Sequence, residues 1–180
     1  MVETGILRPS ERVELINGEI VVMTPIGPRH GAVVDRTTRA FIKLADDKAI
    51  VRTQGTIVLD RFVAPEPDIV LLRPRTDDYV TKNPGVGDIL LIIEVAESSL
   101  EYDTTAKLGL YAILGIPEYW VADLQNRDPC SHRQERQRAA DRLQVDGVRY
   151  LCQIALNDNK WAREEELHLG GLAKQLAIQD

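Results

Sequence analysis

The residues of this sequence that could do chemistry together are two carboxylates and a lysine. Asp68 precedes the apolar run 69–72, Glu94 ends the apolar run 89–93, and Lys107 follows on the next predicted helix. Carboxylates suit Mg²⁺, which takes one or two of them together with water and a substrate phosphate. A neighbouring lysine can orient an attacking water or hold a phosphate oxygen. The three residues therefore indicate metal-assisted hydrolysis of a phosphodiester by in-line attack.

Glu94 carries the strongest of these signals, because an ionised group in a buried strand must be compensated by a partner, a metal ion or water. The others have ordinary alternatives. Asp68 follows a proline, where a carboxylate often belongs to a turn, and Asp103 and Lys107 are four positions apart, the spacing of a surface ion pair on a helix. Trp120 and Tyr111 are predicted as core residues.

The elements that must position these residues begin with a β-hairpin. Residues 12 to 24 alternate around Asn17-Gly18, a dipeptide that accepts the positive φ angles of a type I′ turn. A helix is predicted over residues 29 to 46, and residues 49 to 60 predict a strand pair or one strand bulged around Gly55. The inner face of the helix is predicted to consist of Val33, Thr37, Ala40, Phe41 and Leu44.

A second group of elements surrounds Glu94. Residues 73 to 88 contain two prolines and two glycines, which predicts an exposed excursion before its strand. The following helix is predicted to begin at Ser98 or Asp103 and to end at Gly115. Its inner face is predicted to be Ala106, Leu110, Ile113 and Leu114. Residues 119 to 123 complete a β-α-β unit, for which a right-handed parallel crossover is expected.

Composition limits the classes of protein. A length of 180 residues suits one domain, and no segment approaches the roughly 18 apolar residues of a membrane-spanning helix. We expect a cytoplasmic protein with no membrane contact. The net charge of −6 argues against unassisted binding of nucleic acid but is compatible with a cation-binding cleft.

Residues 1 to 124 are predicted to form the core, with residues 125 to 180 as a divergent tail that packs on it or extends it. Residues 125 to 142 are polar and arginine-rich, which predicts a loop or a solvated helix. Residues 149 to 156 predict a final strand, and residues 162 to 178 predict two helices separated by a glycine break.

Several motifs in order resemble those of the bacterial Uma-two family, which is placed in the PD-(D/E)XK restriction-endonuclease-like superfamily. The resemblance covers residues 10 to 124 and implies an α/β (mixed α+β) fold, in which helices flank a mixed β-sheet that carries an N-terminal β-hairpin. It also implies a divalent-metal site and DNA endonuclease activity. The motifs are RVELINGE from Arg12, PRH from Pro28, PDIV from Pro67, IEVA from Ile93, and DTTAKLGLY from Asp103 leading into GIPEYW from Gly115.

The resemblance also suggests roles for single residues. Asp68 and Glu94 match the metal-binding acids, and Lys107 matches a lysine displaced from the strand onto the next helix. We expect the carbonyl of Val95 to add a ligand, and Glu14 to hold a second metal or orient the site. Further support is expected from His30, Asp103 and Gln54. Mg²⁺ is the expected cofactor with Mn²⁺ as a substitute, DNA is the expected partner, and a homodimer is one arrangement the sequence allows.

Two departures from the family keep other functions open. Ala96 stands where the superfamily places its strand lysine, and the tail is polar as though replaced or frame-shifted. One alternative is a non-catalytic binding or regulatory module that retains the fold. Another is a metal-dependent hydrolase of small phosphorylated molecules, which would suit the acidic charge.

Overall fold

The fold is a six-stranded mixed sheet that carries a separate two-stranded hairpin. A computed structural model describes residues 12–125, 149–156 and 160–162. The sheet has the order β3-β4-β5-β6-β7-β8, and its neighbours are antiparallel except for the parallel pair β5 and β6. The strands are β1 Val13–Ile16, β2 Glu19–Val22, β3 Ile50–Thr53, β4 Ile69–Leu72, β5 Ile89–Ala96, β6 Glu118–Asp123, β7 Arg149–Leu156 and β8 Lys160–Ala162.

One long helix and one composite helix accompany the sheet. The long helix is α1, Pro28–Ala45. Its first residue is a proline, which suits this position because proline has no N–H and the N–H groups of a first turn have no partner within the helix. The composite helix joins β5 to β6 and consists of α2 (Leu100–Tyr102), a π-helical segment (Asp103–Lys107) and α3 (Leu108–Ile113). The parallel pairing of β5 with β6 across it confirms the predicted β-α-β unit.

Local chemistry explains two turns of the chain. Asn17 and Gly18 have φ angles of 52° and 83°, as the predicted type I′ hairpin requires. Gly115 has a φ of 76° and ends the composite helix. There the N–H groups of Gly115 and Ile116 donate to the carbonyls of Ala112 and Tyr111, the pattern of a Schellman motif.

Apolar side chains cover both faces of the sheet. On one face, α1 packs its inner residues against the sheet, and the rings of Phe41 and Trp120 meet edge to face at 5.6 Å. On the other face, Tyr111 of α3 contacts Tyr119 of β6 at 5.0 Å. Ile92 and Ala96 of β5 belong to this second cluster, so alternation along the strand places Glu94 between them on the same face.

Three sequence predictions were wrong in detail. Residues 49 to 60 form only the short strand β3, because Gln54 adopts a φ of 48° and ends it. Leu44 of α1 is 48% exposed, since Ala45 takes the inner position. In the composite helix Ile113 is 74% exposed, and the residue before the first turn is Ser99, whose side chain makes no capping bond. The π-helical segment shifts the helical register, so the inner face differs from the one a regular helix predicts.

The predicted strand at residues 149 to 156 is present as β7. The predicted loop or helix at 125–142 and the two predicted helices at 162–178 lie almost wholly outside the described residues. The division of the chain at residue 124 stays a prediction. Among the described residues, no helix has both the length and the apolar character needed to span a bilayer.

Candidate active site

Asp68 and Glu94 lie side by side where β4 begins and β5 approaches its end. The two strands are antiparallel, and Ile69 pairs with Ile93, so the residues on either side of that pair are brought together. Each carboxylate accepts a hydrogen bond from the other strand: Val95 N–H donates to Asp68 Oδ2 at 2.8 Å, and Asp68 N–H donates to Glu94 Oε2 at 3.3 Å. These reciprocal bonds fix both carboxylates relative to the sheet.

Lys107 connects this pair to the N-terminal hairpin. Its Nζ lies 3.0 Å from Glu94 Oε1 and 3.2 Å from Glu14 Oε1, and all three residues are at most 5% exposed. Glu14 Oε1 also accepts the N–H of Glu66 at 3.0 Å. Lys107 is therefore a buried cation between two carboxylates rather than a surface ion-pair partner of Asp103.

Tyr111 is a member of the candidate site as well as of the core. Its hydroxyl is fully buried and lies 3.3 Å from Glu94 Oε1, the oxygen that also contacts Lys107. The sequence prediction gave Tyr111 only a core role. Its position four residues after Lys107 on one helix face was the signal that could have identified it.

His30, in the first turn of α1, reaches Asp68 from the other side. Its Nε2 lies 2.8 Å from Asp68 Oδ1, and the side chains of His30 and Asp68 are 15% and 12% exposed. The hydrogen bond that His30 makes to the Asp68 carboxylate raises the pKa of His30 above its ordinary value, although partial burial opposes this. Because the Lys107, Glu14 and Glu94 side chains are only 4–7% exposed, the His30–Asp68 pair is the more accessible edge of the cluster.

Asp103 is buried beside the cluster, and its polar contacts are with Ser99 and Tyr119. Its Oδ2 accepts the hydroxyl of Ser99 at 2.6 Å, and its backbone carbonyl accepts the hydroxyl of Tyr119 at 3.0 Å. Burial raises the pKa of the Asp103 carboxyl, while the charge of Lys107 and the Ser99 hydrogen bond oppose the shift. Ser99 is a further contact that the sequence prediction did not include.

Burial dominates the electrostatics of the inner residues. Burial raises the pKa of Glu94 to about 8, with the neighbouring carboxylates contributing to the rise and the attraction of Lys107 opposing it. Burial alone would lower the pKa of Lys107, but Glu94 and the other nearby acids reverse this, and the pKa lies well above its ordinary value. Lys107 therefore stays a cation at neutral pH, while Glu94 can take up a proton.

The residues present suit a hard divalent cation. Glu14, Asp68, Glu94 and Asp103 are all at most 8% exposed, and the cations beside them are Lys107 and, when protonated, His30. This excess of buried negative charge and the all-oxygen donor set both favour Mg²⁺. Within residues 12–125, no three His, Cys, Asp or Glu side chains are already grouped to hold a metal. Mg²⁺ usually takes only one or two carboxylates, so the pair Asp68 and Glu94 would suffice.

The two remaining predicted residues contribute through their backbone. Val95 donates its N–H to Asp68, and the side chain is 2% exposed. Gln54 donates its N–H to the carbonyl of Asp68 at 3.1 Å, at the positive φ that ends β3. The structure thus brings Glu14, His30, Asp68, Glu94 and Lys107 into one continuous set of contacts, while Gln54 supports the backbone of Asp68.

Comparison with known proteins identifies the family of the chain. The model of the Uma2 family, described as "putative restriction endonuclease", matches residues 3–170. The match extends well beyond the motifs in residues 10 to 124 and includes β7 and β8. No curated protein matches the chain.

A solved structure supports the fold. It is a crystal structure of "a putative nuclease belonging to DUF820" from Anabaena variabilis ATCC 29413, which is 14% identical. The similarity covers 97% of this chain and 96% of that chain, with a TM-score of 0.53. At this identity the likeness establishes a shared mixed α+β fold. The family match over residues 3–170 shows that the chain belongs to the Uma2 family, whose description is "putative restriction endonuclease".

Proposed function

We propose that this protein is a divalent-metal-dependent endonuclease that hydrolyses phosphodiester bonds of DNA. The observation that carries the proposal is the interlocked pair Asp68 and Glu94, buried at the ends of adjacent strands with Lys107 at 3.0 Å from Glu94. Buried carboxylates are normally paired with a cation or coordinate a metal ion, and the buried acids here outnumber the cations beside them, which favours a metal site. Membership in a family described as putative restriction endonuclease supports the same reaction class.

In this proposal Asp68 and Glu94 hold the ion, with the carbonyl of Val95 as a further ligand. A bound Mg²⁺ supplies Lewis-acid stabilisation of the charge that develops on the phosphate. Lys107 acts as a fixed cation that orients the attacking water or a phosphate oxygen, because its raised pKa makes it a poor base at neutral pH. Glu14 and Tyr111 keep Lys107 and Glu94 in place.

His30 and Asp103 would have different supporting roles. His30 contacts Asp68 at the more accessible edge of the cluster, so a phosphate that approaches Asp68 from that edge would lie beside His30. When protonated, His30 offers a second positive charge to a phosphate. Asp103 stays hydrogen-bonded to Ser99 and shapes the field around Lys107.

Shape-preserving substitutions test the proposal. Asp68→Asn and Glu94→Gln are each expected to reduce Mg²⁺-dependent or Mn²⁺-dependent cleavage of plasmid DNA by roughly 100-fold or more, the usual cost of removing one transition-state-stabilising group. The exposed Glu101→Gln serves as a matched control and should cleave normally. Calorimetry should detect Mn²⁺ binding that is lost in Glu94→Gln. Undiminished cleavage in both site variants would refute the assignment.

The acidic charge of −6 favours one further candidate, a metal-dependent hydrolase of small phosphorylated molecules. The same variants distinguish it. Mn²⁺ binding without cleavage of DNA, combined with release of phosphate from nucleotides or sugar phosphates, would identify this activity. Absence of binding at millimolar Mn²⁺ would instead identify a non-catalytic module that retains the fold.

A further inference from the structure

We propose that Tyr102 stacks against an unpaired nucleobase next to the reacting phosphate, so that the preferred DNA substrate is single-stranded or locally unpaired. This inference rests on the proposed endonuclease function, because it names the form of DNA that the same site accepts. Tyr102 ends α2 and lies five residues before Lys107. No role was predicted for it from the sequence.

Among residues 12–125, Tyr102 is the one aromatic residue that both borders the candidate site and reaches solvent. Every other aromatic side chain in this range is buried except that of Phe62. Phe62 lies at the hairpin turn, where its carbonyl accepts the N–H of Gly18. Tyr102 is partly exposed, and the centre of its ring lies 6.0 Å from Nζ of Lys107. Tyr102 therefore presents an aromatic surface at the edge of the buried cluster.

The π-helical segment brings Tyr102 to this position. In a regular α-helix, residues five apart lie about 140° from each other around the axis. A π turn joins residues five apart by a hydrogen bond, so it places Tyr102 and Lys107 on the same side of the composite helix. The ring and the ammonium are then at the distance of a cation–π contact. The irregular segment thus adds Tyr102 to the surroundings of Lys107.

The hydroxyl of Tyr102 differs from those of the two buried tyrosines nearby. Tyr111 donates to Glu94, and Tyr119 donates to a backbone carbonyl. Within the part of the chain that the structure describes, the Tyr102 hydroxyl makes no hydrogen bond. Burial raises the pKa of Tyr102, with Lys107 opposing the rise, so its phenol is neutral at neutral pH. The ring is therefore an uncharged surface without a structural hydrogen bond.

A nucleobase is the ligand that suits such a ring beside a site for phosphodiester chemistry. Every base has a flat π face, and stacking on an aromatic side chain binds it without any positive charge. This matters because the chain has a net charge of −6 and the site is rich in buried acids, so counterion release from phosphates contributes little. Bases inside a duplex already stack on both faces, so only an unpaired base can lie on Tyr102.

Lys107 connects the stacked base to the reacting phosphate. Its ammonium lies beside the ring of Tyr102 and 3.0 Å from the Glu94 carboxylate. In the proposed function this ammonium orients the attacking water or a phosphate oxygen. A base held on Tyr102 would position the nucleotide whose phosphate lies at Lys107 and the metal ion. Tyr102 is thus a substrate-binding residue that takes no part in bond making or breaking.

Binding of two forms of one DNA sequence tests the inference. The full-length chain is titrated with a fluorescent single-stranded oligonucleotide and with its duplex, in EDTA to prevent metal-dependent cleavage. The wild type should bind the single strand more tightly than the duplex. Tyr102→Leu, which removes the ring but keeps an apolar side chain, should lower affinity for the single strand by roughly 5- to 150-fold, the effect of losing one stacked base. Its affinity for the duplex should change little.

Two further variants separate the ring from other effects. Phe62→Leu removes an aromatic ring that is 49% exposed outside the candidate site, and both affinities should stay as in the wild type. Tyr102→Phe is the conservative variant, which keeps the ring and should recover most of the affinity for the single strand. Circular dichroism establishes that each variant is folded. The preference of the wild type for the single strand is a test that needs no variant.

Several results would overturn the inference. One is a wild-type chain that binds the duplex as tightly as the single strand, or that binds neither. Another is an equal loss for the two forms of DNA in Tyr102→Leu, because a ring that only covers Lys107 would affect both forms alike. Competition with thymidine monophosphate identifies the source of the base. A nucleotide that binds through Tyr102 when the single strand does not would exclude DNA as the ligand of the ring.

A cleavage assay with Mg²⁺ separates failure of this inference from failure of the proposed function. Binding of the single strand that depends on Tyr102, without cleavage in Mg²⁺ or Mn²⁺, refutes the proposed function and leaves the stacking role intact. Cleavage of the duplex at least as fast as the single strand, with no change in Tyr102→Leu, refutes the stacking role and leaves the proposed function intact.

Discussion

Replacement of Lys107 by methionine should expose the electrostatic balance of the buried cluster. The substitution keeps most of the aliphatic stem but removes the ammonium that lies 3.0 Å from Glu94 and 3.2 Å from Glu14. Breaking a buried ion pair by removing one partner costs about 3–5 kcal/mol, because the remaining charge is left without compensation. We expect a loss of this size in the free energy of unfolding at pH 9.

The loss should be smaller at pH 6, for a reason that follows from Glu94. In the folded wild-type chain its pKa is about 8, above the ordinary 4.5, so the folded state binds more protons and stability falls as pH rises between these values. Without Lys107 the pKa of Glu94 rises further. Above pH 8, each additional pKa unit adds about 1.4 kcal/mol to the difference in unfolding free energy between the variant and the wild type. At pH 6 Glu94 is protonated in both proteins, so it contributes little to the difference in their unfolding free energies.

Urea unfolding followed by far-ultraviolet circular dichroism, in EDTA at pH 6 and pH 9, measures the loss of stability at each pH. The dependence of the unfolding free energy on urea concentration should not change, so a shift in the midpoint reports the change in stability directly. Lys82→Met, at an exposed position, is the control and should cost less than about 0.5 kcal/mol. A loss below about 1 kcal/mol at pH 9, or an equal loss at the two pH values, would refute the described charge balance.

Three further predictions concern single groups. Tyr111→Phe should lower stability by about 1 kcal/mol and weaken Mn²⁺ binding in calorimetry, whereas Tyr119→Phe should match the stability cost and leave Mn²⁺ affinity unchanged, since its hydroxyl contacts a backbone carbonyl. His30→Gln should cost more stability at pH 6 than at pH 8 in EDTA. The raised pKa of His30 means that its charged pair is present at low pH and is lost as pH rises through that pKa. Gly18→Ala should lower stability by about 1–2 kcal/mol in thermal unfolding, because its φ is 83°, whereas Gly109→Ala, with open space at its Cβ, should not.

Local sequence signals predicted the frame of the molecule well. Asn17-Gly18 identified the hairpin, and Gly115 with its following proline identified the helix end, because these residues impose particular backbone angles. Glu94 was identifiable because a charge among aliphatic residues must be compensated. These features depend on near neighbours along the chain, so a single sequence contains the information.

The features that sequence did not predict depend on contacts between distant segments. An ion pair of Lys107 with Asp103 was the ordinary alternative to a role beside Glu94. The buried ammonium contacts Glu94 and also Glu14, which is 93 residues away and whose contact with Lys107 was not predicted. The inner face of the composite helix was misplaced, because a π-helical segment is stabilised by its surroundings and has no distinct residue pattern. β3 is short because Gln54 leaves the extended conformation and donates its N–H to the backbone carbonyl of Asp68, which lies on a distant segment.

The π-helical segment Asp103–Lys107 also limits which insertions and deletions relatives of this protein can tolerate in the composite helix. Such a segment corresponds to one residue inserted into an α-helix. Deleting one of the two intervening threonines would restore regular helical bonding, and the helix itself would become more stable. It would also turn everything before the deletion by about 100° relative to Lys107 and Tyr111, carrying Asp103 and Ser99 away from the cluster. Relatives that share this cluster should therefore keep the spacing from Ser99 to Lys107 without gaps.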